Sequence, residues 1–320
     1  MANYPTLARY KNMQIQAKEI LLNDSLLVGR LVEGKDIYVS SVTGGASSNG
    51  LSPSAAVTTL EAGINLCTAN QGDRVILLPG HAENIATATA LNFDVAGIDI
   101  IGIGSGTARP NITFTTANTA TIPVTAANVT VDNVVFTANF LSIAACFTLT
   151  TAVGFKVTNC FFNDTSSTLN FLTIIGIGAG ANLCDGLTFS DNVVRNLGVT
   201  SNNTTINSGG TIDRLEACRN KLDWAVQNDK PILIDVTTGI LTRADIGDNK
   251  CYRPNTTTAG GSLIKCGGTT STGWVYRNYV QTLTTATDLL FTTTIGLGAL
   301  ENRVSGVVGA TGFVIPAVDS

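Results

Sequence analysis

The chain has 320 residues, 44% hydrophobic and only 13% charged, with a net charge of −4 and a mean hydropathy of +0.26. Charge is about half its usual share of ~25%, on a length that can bury a large core in one elongated domain or two ordinary ones. Lys and Arg are spread along the sequence, which argues against a nucleic-acid partner, and no apolar run approaches the ~20 residues needed to cross a bilayer as a helix.

The first stretch, MANYPTLARYKNMQIQAKEILL, has neither the continuous apolar core nor the small-residue cleavage site of a signal peptide. Synthesis and folding in a reducing cytoplasm are therefore expected. Between Tyr10 and Arg30 the apolar residues Ile15, Ile20, Leu21, Leu22, Leu26, Leu27 and Val28 sit among mixed charges. Residues 1–36 are too apolar for a disordered tail and make a poor domain alone. They read as an attachment or oligomerisation segment; an extension lying along the same subunit is the alternative.

Next comes IYV (37–39), then a Gly/Ser/Asn-rich loop from Gly44 to Gly50. A helix is expected over 53–68, with Ser52 as N-cap and Pro53 at the first helical position. Val57, Leu60, Ile64 and Cys67 would share its buried face. Gly72-Asp73, a strand from Val75 and a turn at Pro79-Gly80 follow. The single histidine, His81, reads as a turn residue there.

From residue 90 onward one signature repeats: an apolar-x-apolar pair, then an Asn or Gly. The pairs are Ile98/Ile100, Val129/Val131, Phe155/Val157, Leu187/Phe189, Leu215/Ala217, Ala244/Ile246, Gly273/Val275 and Leu297/Ala299, 24 to 32 residues apart. An Asn follows two residues later at Asn133 and Asn159, and three later at Asn192, Asn220, Asn249, Asn278 and Asn302. Short strands are also expected within 232–236, 262–266 and 288–292. A repeat of roughly 28 residues made only of short strands fits one coil of a parallel β-helix, each coil burying its inward side chains against its neighbours. No helical stretch lies between the strands, so a βαβ crossover fold is excluded for 90–306. The Asn residues would turn the chain, since Asn tolerates left-handed backbone. Stacked at the ~4.8 Å rung spacing, they would form a hydrogen-bonded ladder.

The order strand, Gly-rich loop, helix, "GD", strand, "PG" in 37–80, followed by these repeats, resembles right-handed parallel β-helix proteins of the pectin-lyase-like superfamily. The resemblance spans 37–306 and is closest to bacteriophage virion proteins such as tailspikes, fibres and decoration proteins. It implies an all-β, single-chain right-handed parallel β-helix of about eight or more coils with an N-terminal capping helix. It also implies a homotrimer with parallel long axes, located in the virion and joined to other virion proteins through 1–36. Contact with a host surface glycan would be a reasonable further role, and residues 307–320 would cap the last coil or meet a neighbouring subunit. Because the superfamily holds polysaccharide lyases and hydrolases as well as non-enzymatic proteins, the resemblance leaves the chemistry open.

Candidate chemistry lies on the outward row between the paired apolar residues: Thr130, Lys156, Thr188, Glu216, Asp245, Trp274 and Gly298. Glu216 and Asp245 on adjacent coils, with Trp274 one coil further, would suit a glycoside hydrolase whose sugar stacks on the Trp. Arg214 and Arg243 stand two residues before the two acids, so the same positions also suit a self-neutralising surface network. Asp185, Asp191, Asp213 and Asp248 are single acids in turns and form no calcium cluster. GIGSG (102–106) and GIGAG (176–180) lack the following helix of a phosphate loop and read as turn glycines. The seven cysteines have no CxxC pattern and read as buried thiols. No cofactor and no metal is expected.

Overall fold

A computed structural model describes residues 20–22, 25–27, 34–85, 87, 90–180, 183–198, 203–224, 233–236, 239–253, 263–266, 270–282 and 296–305. The strand expected at 288–292 and the segment 307–320 lie outside these residues. The chain divides into two units, Met1–Glu33 and Gly34–Ser320. In the first unit, Ile20–Leu22 pairs antiparallel with Ser25–Leu27, Ile20 opposite Leu27.

The second unit is a parallel β-helix. Its strands pair in parallel into three long sheets of ten, nine and six strands. In chain order the first sheet runs from Asp36–Val39 to Gly298–Leu300, the second from Ala82–Ile85 to Arg303–Ser305, and the third from Ile122–Val124 to Ile264–Cys266. Six coils carry a strand in all three sheets. The alternation that defined the repeat is what the pleat requires, because successive side chains point to opposite faces. Leu187 and Phe189 are fully buried while Thr188 between them faces out, and the pattern repeats at Leu215/Ala217 and Ala244/Ile246. The interior is one continuous apolar column from Val39 to Leu297. Its N-terminal half is filled by phenylalanines in edge and stacked contact, such as Phe136, Phe147 and Phe162. Beyond Phe189 the described core is Leu, Ile, Val, Ala and Cys, with Trp224 as its one buried aromatic side chain. Six of the seven cysteines are buried; burial pushes the Cys160 and Cys184 thiols up to about 12.

The helix expected over 53–68 is present as two short pieces, a 3-10 turn at Pro53–Ala55 and an α-helix at Leu60–Ile64. Between them the chain is extended, and Val57 bridges to Val39 as an isolated strand contact. The β-branched run Val57-Thr58-Thr59 explains the break, because such residues lose χ1 freedom in a helix and favour strands. Thr59 is therefore the N-cap of the α-helix, its Oγ1 accepting from the Ala62 N–H at 3.2 Å, whereas Ser52 makes no side-chain cap bond. Leu60 and Ile64 are buried on the core, and Gly63 approaches Val39 and Val75 too closely for a side chain. His81 follows a turn as expected, but its side chain is fully buried. Its Nδ1 accepts from the Ser41 N–H at 3.0 Å, so Nε2 carries the proton and faces Glu83 Oε2 at 3.2 Å. That same oxygen accepts from the Leu60 N–H at 2.8 Å, which ties the second sheet to the start of the helix. Of the glycines expected in turns, Gly102 and Gly176 lie within strands, while Gly104 and Gly106 have the positive φ of turn residues.

The seven repeat asparagines split into two groups at one corner, and their spacing tells them apart. Asn133 and Asn159, two residues past the apolar pair, hold φ of 58° and 51° and turn the chain themselves. In the other five coils the left-handed residue is the one before the Asn: Asp191, Arg219, Asp248, Arg277 and Glu301. Asn192, Asn220, Asn249, Asn278 and Asn302 are buried and point inward as a ladder. The Oδ1 of each of Asn220, Asn249, Asn278 and Asn302 accepts the backbone N–H of the preceding Asn at 2.9–3.0 Å. Each of the five Nδ2 groups donates to a carbonyl of the preceding coil, as Asn249 does to Ala217 at 2.8 Å. The corner of Asn133 and Asn159 has Val134 and Cys160 at the inward position instead. The reading of one seven-member ladder is thus corrected to five members plus two turn residues.

Removing a ladder member strands buried donors and acceptors on both sides, at about 1–3 kcal/mol for each unsatisfied group. Asn249→Ala should lower unfolding free energy by about 2–4 kcal/mol in urea denaturation. Asn159→Gly, which keeps the left-handed turn, should cost markedly less.

Candidate functional site

The outward row of the first sheet is assembled as expected. Thr130, Lys156, Thr188, Glu216, Asp245, Trp274 and Gly298 are register partners on successive strands. Glu216, Asp245 and Trp274 therefore stack one rung apart, about 4.8 Å between neighbouring strands. Asp245 is exposed and Glu216 half-buried. Ser190 Oγ donates to Glu216 Oε1 at 3.3 Å from the coil before.

The two arginines do not pair with these acids. Arg243 forms a two-pronged ion pair with Asp213, with Nε to Oδ1 at 2.8 Å and Nη2 to Oδ2, and Arg214 lies 3.3 Å from the same carboxylate. Both arginines hold positive φ at the corner before the strand, 55° and 53°. That geometry swings the side chains away from the outward row and toward Asp213. The self-neutralising Arg/Glu/Arg/Asp stack is therefore replaced by an Arg/Asp/Arg cluster one corner away. It leaves Glu216 and Asp245 without an ion-pair partner among the described residues. The Arg243 hydrogen bond, then that of Thr242, holds the Asp213 carboxyl down to about 2. The other corner is neutralised in the same way, with Arg219 gripping Asp191 and Arg277 gripping Asp248 through paired bonds of 2.7–2.8 Å.

A second outward column runs beside the first: Ser190, Cys218, Gly247, Tyr276 and Leu300. Tyr276 lies back along the sheet over Gly247, where a Cβ would come within 2.3 Å of its ring. Its hydroxyl reaches Cys218 Sγ, two coils away, at 3.9 Å. Burial first, then the Asp245 carboxylate, pushes the phenol well above its usual range. Trp274 lies the opposite way, over Gly298, where a Cβ would meet the indole at 2.7 Å. Two rings thus lie along the outside of the sheet, and each needs a glycine at the neighbouring rung. Trp274 remains 60% exposed and Leu300 55%. Arg243, Asp245, Thr272, Trp274, Tyr276 and Leu300 line an open concavity of about 530 Å³.

Sequence reasoning found Glu216, Asp245, Trp274 and Gly298 in one row but missed Tyr276 and Gly247 beside it, and gave Gly298 no role under the Trp274 ring. Period-2 alternation alone places Tyr276 outward beside Trp274. The glycines carried no signal until the rings above them were in place. Among the described residues no group of three or more His, Cys, Asp or Glu side chains is arranged to hold a metal ion. No described helix is long and apolar enough to cross a membrane.

No protein-family model and no curated protein matches the chain. Among solved structures, the chain is similar to a rhamnogalacturonan lyase at 13% identity and a TM-score of 0.46, over 78% of this chain and 68% of that one. A GH136 lacto-N-biosidase from Eubacterium ramulus is similar at 11% identity and a TM-score of 0.28, over 86% and 68%. Neither likeness bears on this chain's chemistry. The class stands on the strand pairings: a parallel β-helix.

The Asp213 cluster has a defined pH signature. A carboxyl held at about 2, against an ordinary 3.8, contributes stability that is present above about pH 4 and lost as pH falls through 2. The difference in melting temperature between the native chain and Arg243→Gln should therefore shrink between pH 4 and pH 2. A difference that is flat across that window would contradict the pairing.

Proposed function

We propose that the protein is a non-enzymatic structural component of a bacteriophage particle, a β-helix that associates with copies of itself as a homotrimer. Residues 1–36 would join it to other proteins of the particle, and its exposed coils would face the host surface. The low charge and the non-repeating first 36 residues support this reading, as does the resemblance to β-helical virion proteins. The observation that carries the non-catalytic part is the form of the Glu216/Asp245 surface. It is open, with Asp245 and Trp274 exposed to solvent. Such a face neither encloses a substrate nor excludes water, which catalytic clefts do.

A second reading, a tailspike hydrolase or lyase acting on host surface polysaccharide, is favoured by the exposed Trp274 ring lying over Gly298. Stacked acids on adjacent rungs, ~4.8 Å apart at the backbone, come near the ~5–5.5 Å carboxyl separation of retaining glycosidases. Size-exclusion analysis of host surface polysaccharide after incubation decides between the two. The structural reading expects no shortening by the native chain, Glu216→Gln or Asp245→Asn. Shortening by the native chain that either substitution abolishes would establish the enzyme.

A further inference from the structure

The second sheet gathers basic residues that lie far apart in sequence. On its outer face Lys221 pairs in register with Lys250, Lys250 with Tyr279, and Tyr279 with Arg303. Arg195 stands on the preceding coil in the adjoining column, beside Asp223 in register. Lys221, Lys250 and Arg303 are exposed, and among the described residues none of the three is within ion-pair distance of a carboxylate. Among the described strand residues of these coils, Asp223 is the one carboxylate on this face. By contrast, Arg214, Arg219, Arg243 and Arg277 at the corners are held by Asp213, Asp191 and Asp248.

The first sheet carries the opposite column on the same coils. Glu216 and Asp245 are register partners, as Lys221 and Lys250 are. Like charges directly opposite on neighbouring strands are destabilising, so each column costs the isolated chain something. The two columns are also matched in height, since each acid precedes the base of its own coil by five residues. Glu216 and Lys221 share one coil, Asp245 and Lys250 the next, and Trp274 and Tyr279 the third.

We propose that these columns are the two halves of one interface between copies of this chain, the first sheet of one packing against the second sheet of the next. A rotation axis parallel to the β-helix keeps every rung at its own height, so Glu216 meets Lys221, Asp245 meets Lys250 and Trp274 meets Tyr279. Such a head-to-tail contact closes into a ring. The nine rungs of the second sheet at about 4.8 Å, with strands of four residues at about 3.3 Å, give a face of roughly 570 Å². That is most of the ~800 Å² per partner in a standard interface, and each copy would use two faces. Pairing removes both like-charge stacks and takes exposed Trp274 and Leu300 out of water, where aromatic anchors contribute most. The inference rests on the reading that the chain associates with itself. It assigns Trp274 to a subunit contact and not to a sugar.

Charge reversal tests it on the full chain, because the four residues are surface-facing and circular dichroism can confirm that each variant folds. In sedimentation equilibrium the native protein should be a trimer. Lys221→Glu/Lys250→Glu and Glu216→Lys/Asp245→Lys should each raise the dissociation concentration at least about tenfold. The quadruple variant, with both columns reversed, should recover association. Trimers unaffected by either double variant, or a quadruple variant that stays dissociated, would overturn the assignment of faces and leave self-association standing. A native protein that is monomeric at every concentration would overturn both.

Discussion

Everything in this β-helix depends on parallel backbone pairing at one fixed rung spacing. Once each coil must lie about 4.8 Å above the last, every side chain acquires a partner of the same role one repeat away. The constraint is most demanding at the corner between the first and second sheets, where the chain turns sharply with its polar groups buried. Asn192 to Asn302 meet that demand with an amide that accepts a backbone N–H of the next-lower coil, from Cys160 for Asn192 and from the preceding Asn for the other four, and donates to a carbonyl beneath it. A shorter side chain could not reach, and an aliphatic one would leave donors without acceptors. In the coils of Val134 and Cys160, which lack an inward Asn at this corner, Asn133 and Asn159 occupy the turn itself.

Repetition also concentrates chemistry on the outside. A residue type that recurs at the repeat spacing becomes a column, so charges that look dispersed in the sequence are adjacent in the structure. The corners neutralise themselves through Arg–Asp pairs between coils. The sheet faces do not, because outward residues on one strand sit opposite like residues on the next. The result is an acidic and aromatic column on one face and a basic one on the neighbouring face. Their complementarity follows from coil geometry alone.

Asp164 and His81 are among the buried polar groups of the described residues. Asp164 is almost wholly buried, and burial pushes its carboxyl up to about 7 although the Phe171 and Leu197 N–H groups bond its oxygens at 3.0 and 2.9 Å. Raised above its ordinary value, it favours the fold most below about pH 4, and that contribution fades as pH rises through 7. His81 is buried as a latch between Ser41 and Glu83, at the end where the short helix covers the first coil. Both sit at a strand end, Asp164 closing Phe161–Asp164 and His81 just before Ala82–Ile85, which is where backbone N–H groups most need side-chain acceptors.

Much of this was legible in the sequence. The apolar pairs at 24 to 32 residue spacing required short parallel strands, fixed which residues face inward, and placed Glu216, Asp245 and Trp274 in one outward row. The two Asn offsets were equally visible, but their meaning was not. Whether a residue takes the left-handed turn or the inward position depends on which backbone groups the neighbouring coil leaves unpaired. The helix at 53–68 was overextended because periodicity carried no warning that Val57 would be drawn into a strand contact with Val39. The partners of Arg214 and Arg243, the flattening of Tyr276 and Trp274 over Gly247 and Gly298, and the stacking of Lys221 on Lys250 emerged only in three dimensions. Sequence by itself determined the period and the inward face, because both follow from the two-residue alternation of a strand. Tertiary structure decided which charges meet, because that depends on the corner dihedrals, which aim each side chain along the row or away from it.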